Sequence, residues 1–210
     1  MASHLDDEEQ VENLKRWWKE NWLALVAGVG LGLGAIGGWQ GWQHWQDGQA
    51  QAASRLHEDL KQALEGGQTE EAVGIADRLT REFASSPYAA SAALRLARAD
   101  VEAARYDEAV GRLAWVAAHA EDAATRDVAR VRQARVLLAQ GKLDAALPLL
   151  DAVGEPYRAL AEEVRGDLLL AKGDRSGARA AYDKALQGLD EQAANRELLQ
   201  QKRDDLGASS

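Results

Sequence analysis

Histidine, cysteine and closely spaced glycine are the residue types through which this chain could hold a metal, a nucleophile or a phosphate. The chain contains no cysteine, which excludes disulfides, thiolate nucleophiles and thiolate metal ligands. Its histidines are scattered, without the close spacing of a metal-binding helix; they are His4, His44, His57 and His119. No Gly-x-Ser-x-Gly sequence presents a serine nucleophile. We therefore expect no catalytic residues, no metal and no cofactor, and a protein that is not an enzyme.

The glycines of "WLALVAGVGLGLGAIGGW", residues 22–39, could in principle cradle a phosphate, because every second residue from Gly28 to Gly34 is glycine. A phosphate loop needs a strand before its glycines and, in the P-loop, a lysine directly after them. Here a charged, helix-like stretch, "VENLKRWWKEN", comes first, and no such lysine follows. This interpretation is therefore weak.

A membrane-spanning helix explains the same stretch better. No charged residue occurs between Glu20 and Asp47, and residues 22–39 would extend roughly 27 Å as a helix, close to the ~30 Å hydrocarbon layer. Tryptophans, which favour the water–lipid boundary, bracket the apolar run; they are Trp17, Trp18, Trp22, Trp39, Trp42 and Trp45. The sequence predicts an uncleaved membrane anchor.

Glycines four residues apart, such as Gly30, Gly34 and Gly38, allow a second helix to approach closely, although glycine is also simply common in membrane helices.

Lys15, Arg16 and Lys19 precede the span, and this positive flank predicts a cytoplasmic N-terminus. Everything after about residue 47 would then lie in the periplasm of a bacterium. The formal net charge of −9 argues against a general nucleic-acid role, since duplex binders need a basic face.

Beyond residue 47, an alanine- and leucine-rich pattern repeats at spacings of 37, 37 and 32 residues. The small residue of each second helix falls at Ala72, Ala109, Ala146 and Ala178, and the matching position of each first helix at Leu60, Ala97, Ala134 and Gly166. Small residues at the crossing of two helices, with larger ones a turn away, are typical of tetratricopeptide repeats. An alanine-rich bundle without a superhelix is the alternative.

These patterns predict an all-α protein in which a single N-terminal transmembrane helix precedes a tetratricopeptide-like α-solenoid. We expect a cytoplasmic segment (1–20), the transmembrane helix with its aromatic belts (21–46), a linker helix with a degenerate first repeat (47–85), three helical pairs (86–189), and a capping helix with the tail (190–210). Ser86 and Pro87 mark the start of the first regular pair.

Stacked first helices line a concave groove in such solenoids. Placing the small residues of the first helices at the crossings turns one set of side chains towards that groove. The predicted groove residues are Ser91, Arg98, Glu102, Arg135, Leu138, Glu163 and Asp167. Their mixed charges and apolar members suit a peptide or a segment of a partner protein.

The chain resembles the YfgM family, the ancillary subunit of the bacterial SecYEG translocon. The resemblance is carried by "EEQVENLKRWWKENW", the glycine-rich anchor, "GWQGW", "VRQARVLLAQGKLDAAL" and "VRGDLLLAKGDRSGARAAYDKAL". It implies a single-pass inner-membrane protein with a periplasmic repeat domain. It also implies association with the SecYEG translocon and with a membrane-anchored periplasmic chaperone of the prolyl-isomerase type, and a role in helping newly exported proteins. A membrane-anchored scaffold or regulator of envelope assembly, division or stress signalling is the alternative.

Overall fold

The computed structural model describes residues 3–207, and the side chains of residues 12–207. Within those bounds the chain forms helices and turns without a strand, which confirms the predicted all-α class. It divides into two compact units, Met1–Gln51 and Ala52–Ser210. Helix α1 (Ser3–Glu65) includes all of the described part of the first unit and the first residues of the second.

In the first unit, α1 carries an apolar surface that nothing in the described chain covers. It is the one described helix long and apolar enough to cross a membrane, and none of its most apolar window is buried within the protein. Large side chains such as Trp18, Leu31 and Trp45 are exposed, and a Cβ at Gly30 or Gly34 would meet no described atom within 4 Å. An exposed apolar helix of this length is what a lipid bilayer accommodates.

The second unit consists of consecutive antiparallel helices that pack against their neighbours along the chain. After the end of α1 come α2 (Thr69–Glu82), α3 (Pro87–Glu102), α4 (Tyr106–His119), α5 (Ala123–Ala139), α6 (Leu143–Asp151), a 3-10 turn (Glu155–Tyr157), α7 (Arg158–Ala171), α8 (Arg175–Gly188) and α9 (Arg196–Asp204).

Helix boundaries follow the local chemistry of the sequence. The side chain of Ser86 accepts a hydrogen bond from the Tyr88 amide, and Pro87 begins α3, as expected of an N-cap followed by proline. Asp122 caps α5 in the same way, accepting from the Thr125 amide at 2.7 Å. These caps satisfy backbone donors that a helix leaves without internal partners.

The first helix of each pair ends in a left-handed residue at one repeat position. Gly67, Gly141 and Gly173 have φ values of 71°, 72° and 85°, and the equivalent residue of the α3–α4 turn is Ala104, with φ of 58°. In each turn the amide of the next residue donates to a carbonyl five positions back, as Lys142 does to Leu137. This arrangement is the Schellman motif, which normally uses glycine because a Cβ strains the left-handed conformation.

The core lies where the helices of each pair cross. Ala97, Ala109, Ala134 and Ala146 are fully buried or nearly so. At the last crossing, Gly166 faces the buried ring of Tyr182, and a Cβ on Gly166 would lie 2.2 Å from the ring atom Cε1. The small residues therefore let the helix axes approach, as the repeat pattern predicts.

One charged group lies inside this core. Asp100, near the end of α3, is 1% exposed and accepts hydrogen bonds from Arg105 at 2.9 Å and Arg112 at 2.8 Å. Arg112 also lies 3.4 Å from Asp77 on α2. Because a buried carboxylate is tolerated only when it is paired and hydrogen-bonded, this cluster ties three consecutive helices together.

Candidate interaction groove

A concavity of the second unit lies between the first helices α3 and α5 and has a volume of about 810 Å³. Its lining is partly apolar, through Leu64, Leu94, Ala97, Val101, Leu113 and Val136, and partly charged. The end of α1 and helix α4 supply Leu64 and Leu113 from either side. A concave, partly apolar surface with a few charged groups has the general character of a binding site.

Four of the predicted groove residues line this concavity: Ser91, Arg98, Glu102 and Arg135. Arg98 and Glu102 are joined by a hydrogen bond of 2.8 Å, and both side chains remain mostly exposed. An ion pair so exposed contributes little stability, so its two members can exchange partners at little cost.

The other three predicted groove residues lie elsewhere. Glu163 accepts a hydrogen bond from Asn195 at 3.0 Å, and Asp167 accepts from Lys202 at 2.9 Å and from Tyr182 at 2.7 Å. The segment that leads into α9, and α9 itself, therefore cover this part of α7. Leu138 packs against the apolar core formed by α5, α6 and α7.

Tyr182 shows how closed the α7–α9 region is. Burial, reinforced by the hydrogen bond to Asp167, raises the pKa of Tyr182 far above its ordinary value. The amine of Lys202 lies 5.9 Å from the centre of the Tyr182 ring. The carboxylate of Asp167 is thus occupied by an internal hydroxyl and an internal amine, which leaves it little capacity for an outside ligand.

Two arginines that the sequence analysis did not select, Arg95 and Arg132, also line the groove. They precede Arg98 and Arg135 by three residues, and residues three apart share one face of a helix. The periodicity that selected Arg98 and Arg135 could therefore have identified them too.

Beside Arg95, the imidazole of His57 lies 3.0 Å from the Ser91 hydroxyl. Burial, and then the charge of Arg95, lower the pKa of His57, with Lys61 acting in the same sense and Glu58 opposing.

The side chains of residues 12–207 include no cluster of three or more histidine and acidic residues that could hold a metal ion. The groove offers apolar and charged side chains suited to contact and charge pairing.

Comparison with known proteins places this architecture in a family. Residues 15–208 match the family model described as a tetratricopeptide repeat-like domain. A protein of Escherichia coli (strain K12) named ancillary SecYEG translocon subunit is 33% identical over 203 residues, covering 96% of this chain and 97% of its own length. Its namesake in Neisseria gonorrhoeae is 34% identical, covering 98% of this chain and 100% of its own length. The namesake in Haemophilus influenzae is 28% identical, covering 94% and 98%.

These matches extend along nearly the whole chain, including the apolar N-terminal helix and the helical pairs. They confirm the resemblance that the sequence motifs indicated. The chain belongs to the YfgM family of ancillary SecYEG translocon subunits, which carry a tetratricopeptide repeat-like domain.

Proposed function

We propose that this protein is a non-catalytic, membrane-tethered interaction module that serves the Sec translocon as an accessory subunit. In this role it works with a membrane-anchored periplasmic chaperone of the prolyl-isomerase type on newly exported proteins. The observation that carries the proposal is the match, over almost the full length of both chains, to proteins named ancillary SecYEG translocon subunit. A repeat domain with an open groove supports it, because such domains bind other proteins.

Tethering supplies the physical advantage. A domain held near the translocon by its own membrane helix meets its partners at the high effective concentration of an intramolecular encounter. Weak contacts in the groove then suffice for capture, and a weakly held chain is also released readily. We expect affinities of the isolated contacts to be modest, in keeping with a helper that passes its clients on.

The proposal requires the second unit to lie in the periplasm. The cationic flank of Lys15, Arg16 and Lys19 favours a cytoplasmic N-terminus. The absence of native cysteine makes a direct test possible. In spheroplasts, a membrane-impermeant thiol reagent should label a Ser209→Cys variant and leave a Ser3→Cys variant unlabelled until the cells are lysed. The reverse labelling pattern would overturn the periplasmic assignment.

Partners can be identified by chemical cross-linking in native membranes, followed by affinity capture of the full-length chain and mass spectrometry. We expect translocon subunits and a prolyl-isomerase-type chaperone to be enriched over a control in which an unrelated membrane helix replaces residues 21–46. Enrichment of division or cell-wall proteins instead would contradict the proposal and favour an envelope scaffold.

A further inference from the structure

The groove arginines recur as a short sequence motif. The tetrapeptides "RLAR" at 95–98 and "RQAR" at 132–135 lie 37 residues apart, which is the spacing of the repeat itself. In the next first helix, α7, the equivalent positions are Val164 and Asp167. The arginine pair is therefore restricted to α3 and α5, the two helices between which the groove lies.

The central alanine of each motif explains where its arginines point. Ala97 and Ala134 are buried at the helix crossings, and both arginines of each motif line the groove. The result is four guanidinium groups at one concavity, and Glu102 is the only carboxylate among the described residues that line it. This concentration of positive charge is notable because the whole chain has a formal net charge of −9.

Two of the four arginines lie near an internal carboxylate, and two do not. Arg98 pairs with the exposed Glu102, and Arg135 lies 3.8 Å from Glu163, beyond hydrogen-bond distance. Within residues 12–207, no carboxylate lies within 4 Å of a guanidinium nitrogen of Arg95 or Arg132. Guanidinium groups bind carboxylates through two parallel hydrogen bonds, so the groove presents unused capacity for acidic ligands.

We propose that the groove between α3 and α5 binds acidic peptide segments in which carboxylate side chains are interspersed with apolar ones. This deepens the function proposed above and rests on it. Carboxylates would pair with the two "R-x-A-R" motifs, and apolar side chains would cover Leu94, Val101 and Val136. An anionic lipid surface or a nucleic acid would use the arginines alone, and it would leave the apolar residues that line the groove uncovered.

The test uses the full-length protein in neutral-lipid nanodiscs and fluorescence polarisation with three labelled peptides. The peptides share their length and their leucine positions, and carry glutamate, glutamine or lysine elsewhere. We expect the glutamate peptide to bind about tenfold more tightly than the glutamine peptide, since each charge-assisted hydrogen bond adds affinity. We expect no binding of the lysine peptide, and weaker binding of the glutamate peptide as salt screens the charges. A glutamate peptide with serine in place of leucine should bind more weakly too.

Variants then locate the binding site. Arg95→Gln/Arg132→Gln and Arg98→Gln/Arg135→Gln should each weaken binding of the glutamate peptide about tenfold, and the corresponding lysine substitutions should restore part of it. The matched control is Arg78→Gln/Arg81→Gln, which removes two exposed charges from α2 outside the groove and should leave the affinity within about twofold. Circular dichroism spectra identical to that of the wild type would establish that the variants fold.

Equal affinity for the glutamate and glutamine peptides, or unchanged affinity in both folded double variants, would overturn the proposal. So would arginine-dependent binding to phosphatidylglycerol vesicles without any binding of the peptides, which would identify a lipid site. The accessory role is tested separately. Translocon cross-links that persist without peptide binding would remove only the groove assignment, and peptide binding without translocon cross-links would remove only the accessory role.

Discussion

The crossing of α7 and α8 at Gly166 offers the sharpest test of how the repeats are held together. Replacing Gly166 with alanine places a methyl group where the structure has no space for one. The new Cβ would lie 2.2 Å, 2.4 Å and 2.9 Å from three ring atoms of Tyr182, well inside the ordinary van der Waals separation. Tyr182 is fully buried and its hydroxyl is bonded to Asp167 at 2.7 Å, so the ring cannot simply turn aside.

Two opposing effects determine how much Gly166→Ala changes the free energy of unfolding. Alanine is favoured over glycine in a helix by about 1 kcal/mol. Forcing a methyl group into a filled core costs typically about 1–3 kcal/mol, and the upper end applies because the ring would have to move by more than an ångström. We therefore expect Gly166→Ala to lower the free energy of unfolding by about 2 kcal/mol, or the midpoint of thermal unfolding by roughly 4–8 °C.

Urea unfolding of the full chain in mild detergent, followed by circular dichroism, measures this loss. Gly111→Ala is the matched control, because Gly111 is exposed within α4 and a Cβ there would meet nothing described within 4 Å. The control should raise the free energy of unfolding by up to about 1 kcal/mol. The same substitution thus has opposite effects on the free energy of unfolding at two helical sites, because the space beside the two glycines differs.

A double-mutant cycle completes the test. In a Tyr182→Leu background the ring that opposes the methyl group is gone, so adding Gly166→Ala should be neutral or slightly stabilising. If Gly166→Ala costs the same with and without the ring, or stabilises the wild type, the proposed steric origin of the glycine at this crossing is wrong.

Three further outcomes are expected in the same unfolding assay. Asp100→Ala should lower the free energy of unfolding by about 3 kcal/mol, because it leaves two arginines beside an empty buried site, whereas Asp77→Ala, at a half-exposed pair, should cost under about 1 kcal/mol. Ala104→Gly should raise the free energy of unfolding by about 1 kcal/mol, because glycine adopts the left-handed conformation of residue 104 without strain. Ala103→Gly, at a residue where φ is −91°, should not raise it. Equal effects of the two substitutions would refute this reasoning. The pKa of His57 is lowered by burial from 6.5, so the folded state binds the proton more weakly than the unfolded chain. The stability that His57 contributes is therefore complete above about pH 6.5 and is lost as the pH falls through the lower folded-state pKa. His57→Gln should flatten the pH dependence of the free energy of unfolding, and an unchanged slope would contradict this assignment.

The anchor and the repeat register could be predicted from the sequence because both depend on local chemistry. Insertion of a helix into lipid depends on the summed polarity of one continuous segment, and the charge-free stretch between Glu20 and Asp47 contains that information directly. The crossings of the helical pairs depend on where small residues recur, so the alignment of Ala97, Ala134 and Gly166 was sufficient to indicate the helices and their pairing.

The extent of the groove could not be derived in that way. Helical periodicity tells which face of a helix a residue occupies, but it does not tell which later part of the chain covers that face. Glu163 and Asp167 occupy repeat positions like those of the groove residues, yet Asn195 and Lys202 bind them from the region of α9.

The sequence by itself determined an all-α chain with an apolar N-terminal helix and paired helices in a fixed register, because composition and spacing act over one helix or one pair. Only the tertiary structure decided that four arginines of α3 and α5 share one groove while the acidic residues of α7 are covered by internal partners. The physical reason is that such coverage arises from side chains distant in sequence, whose packing and charge pairing exist only once all the helices are in place.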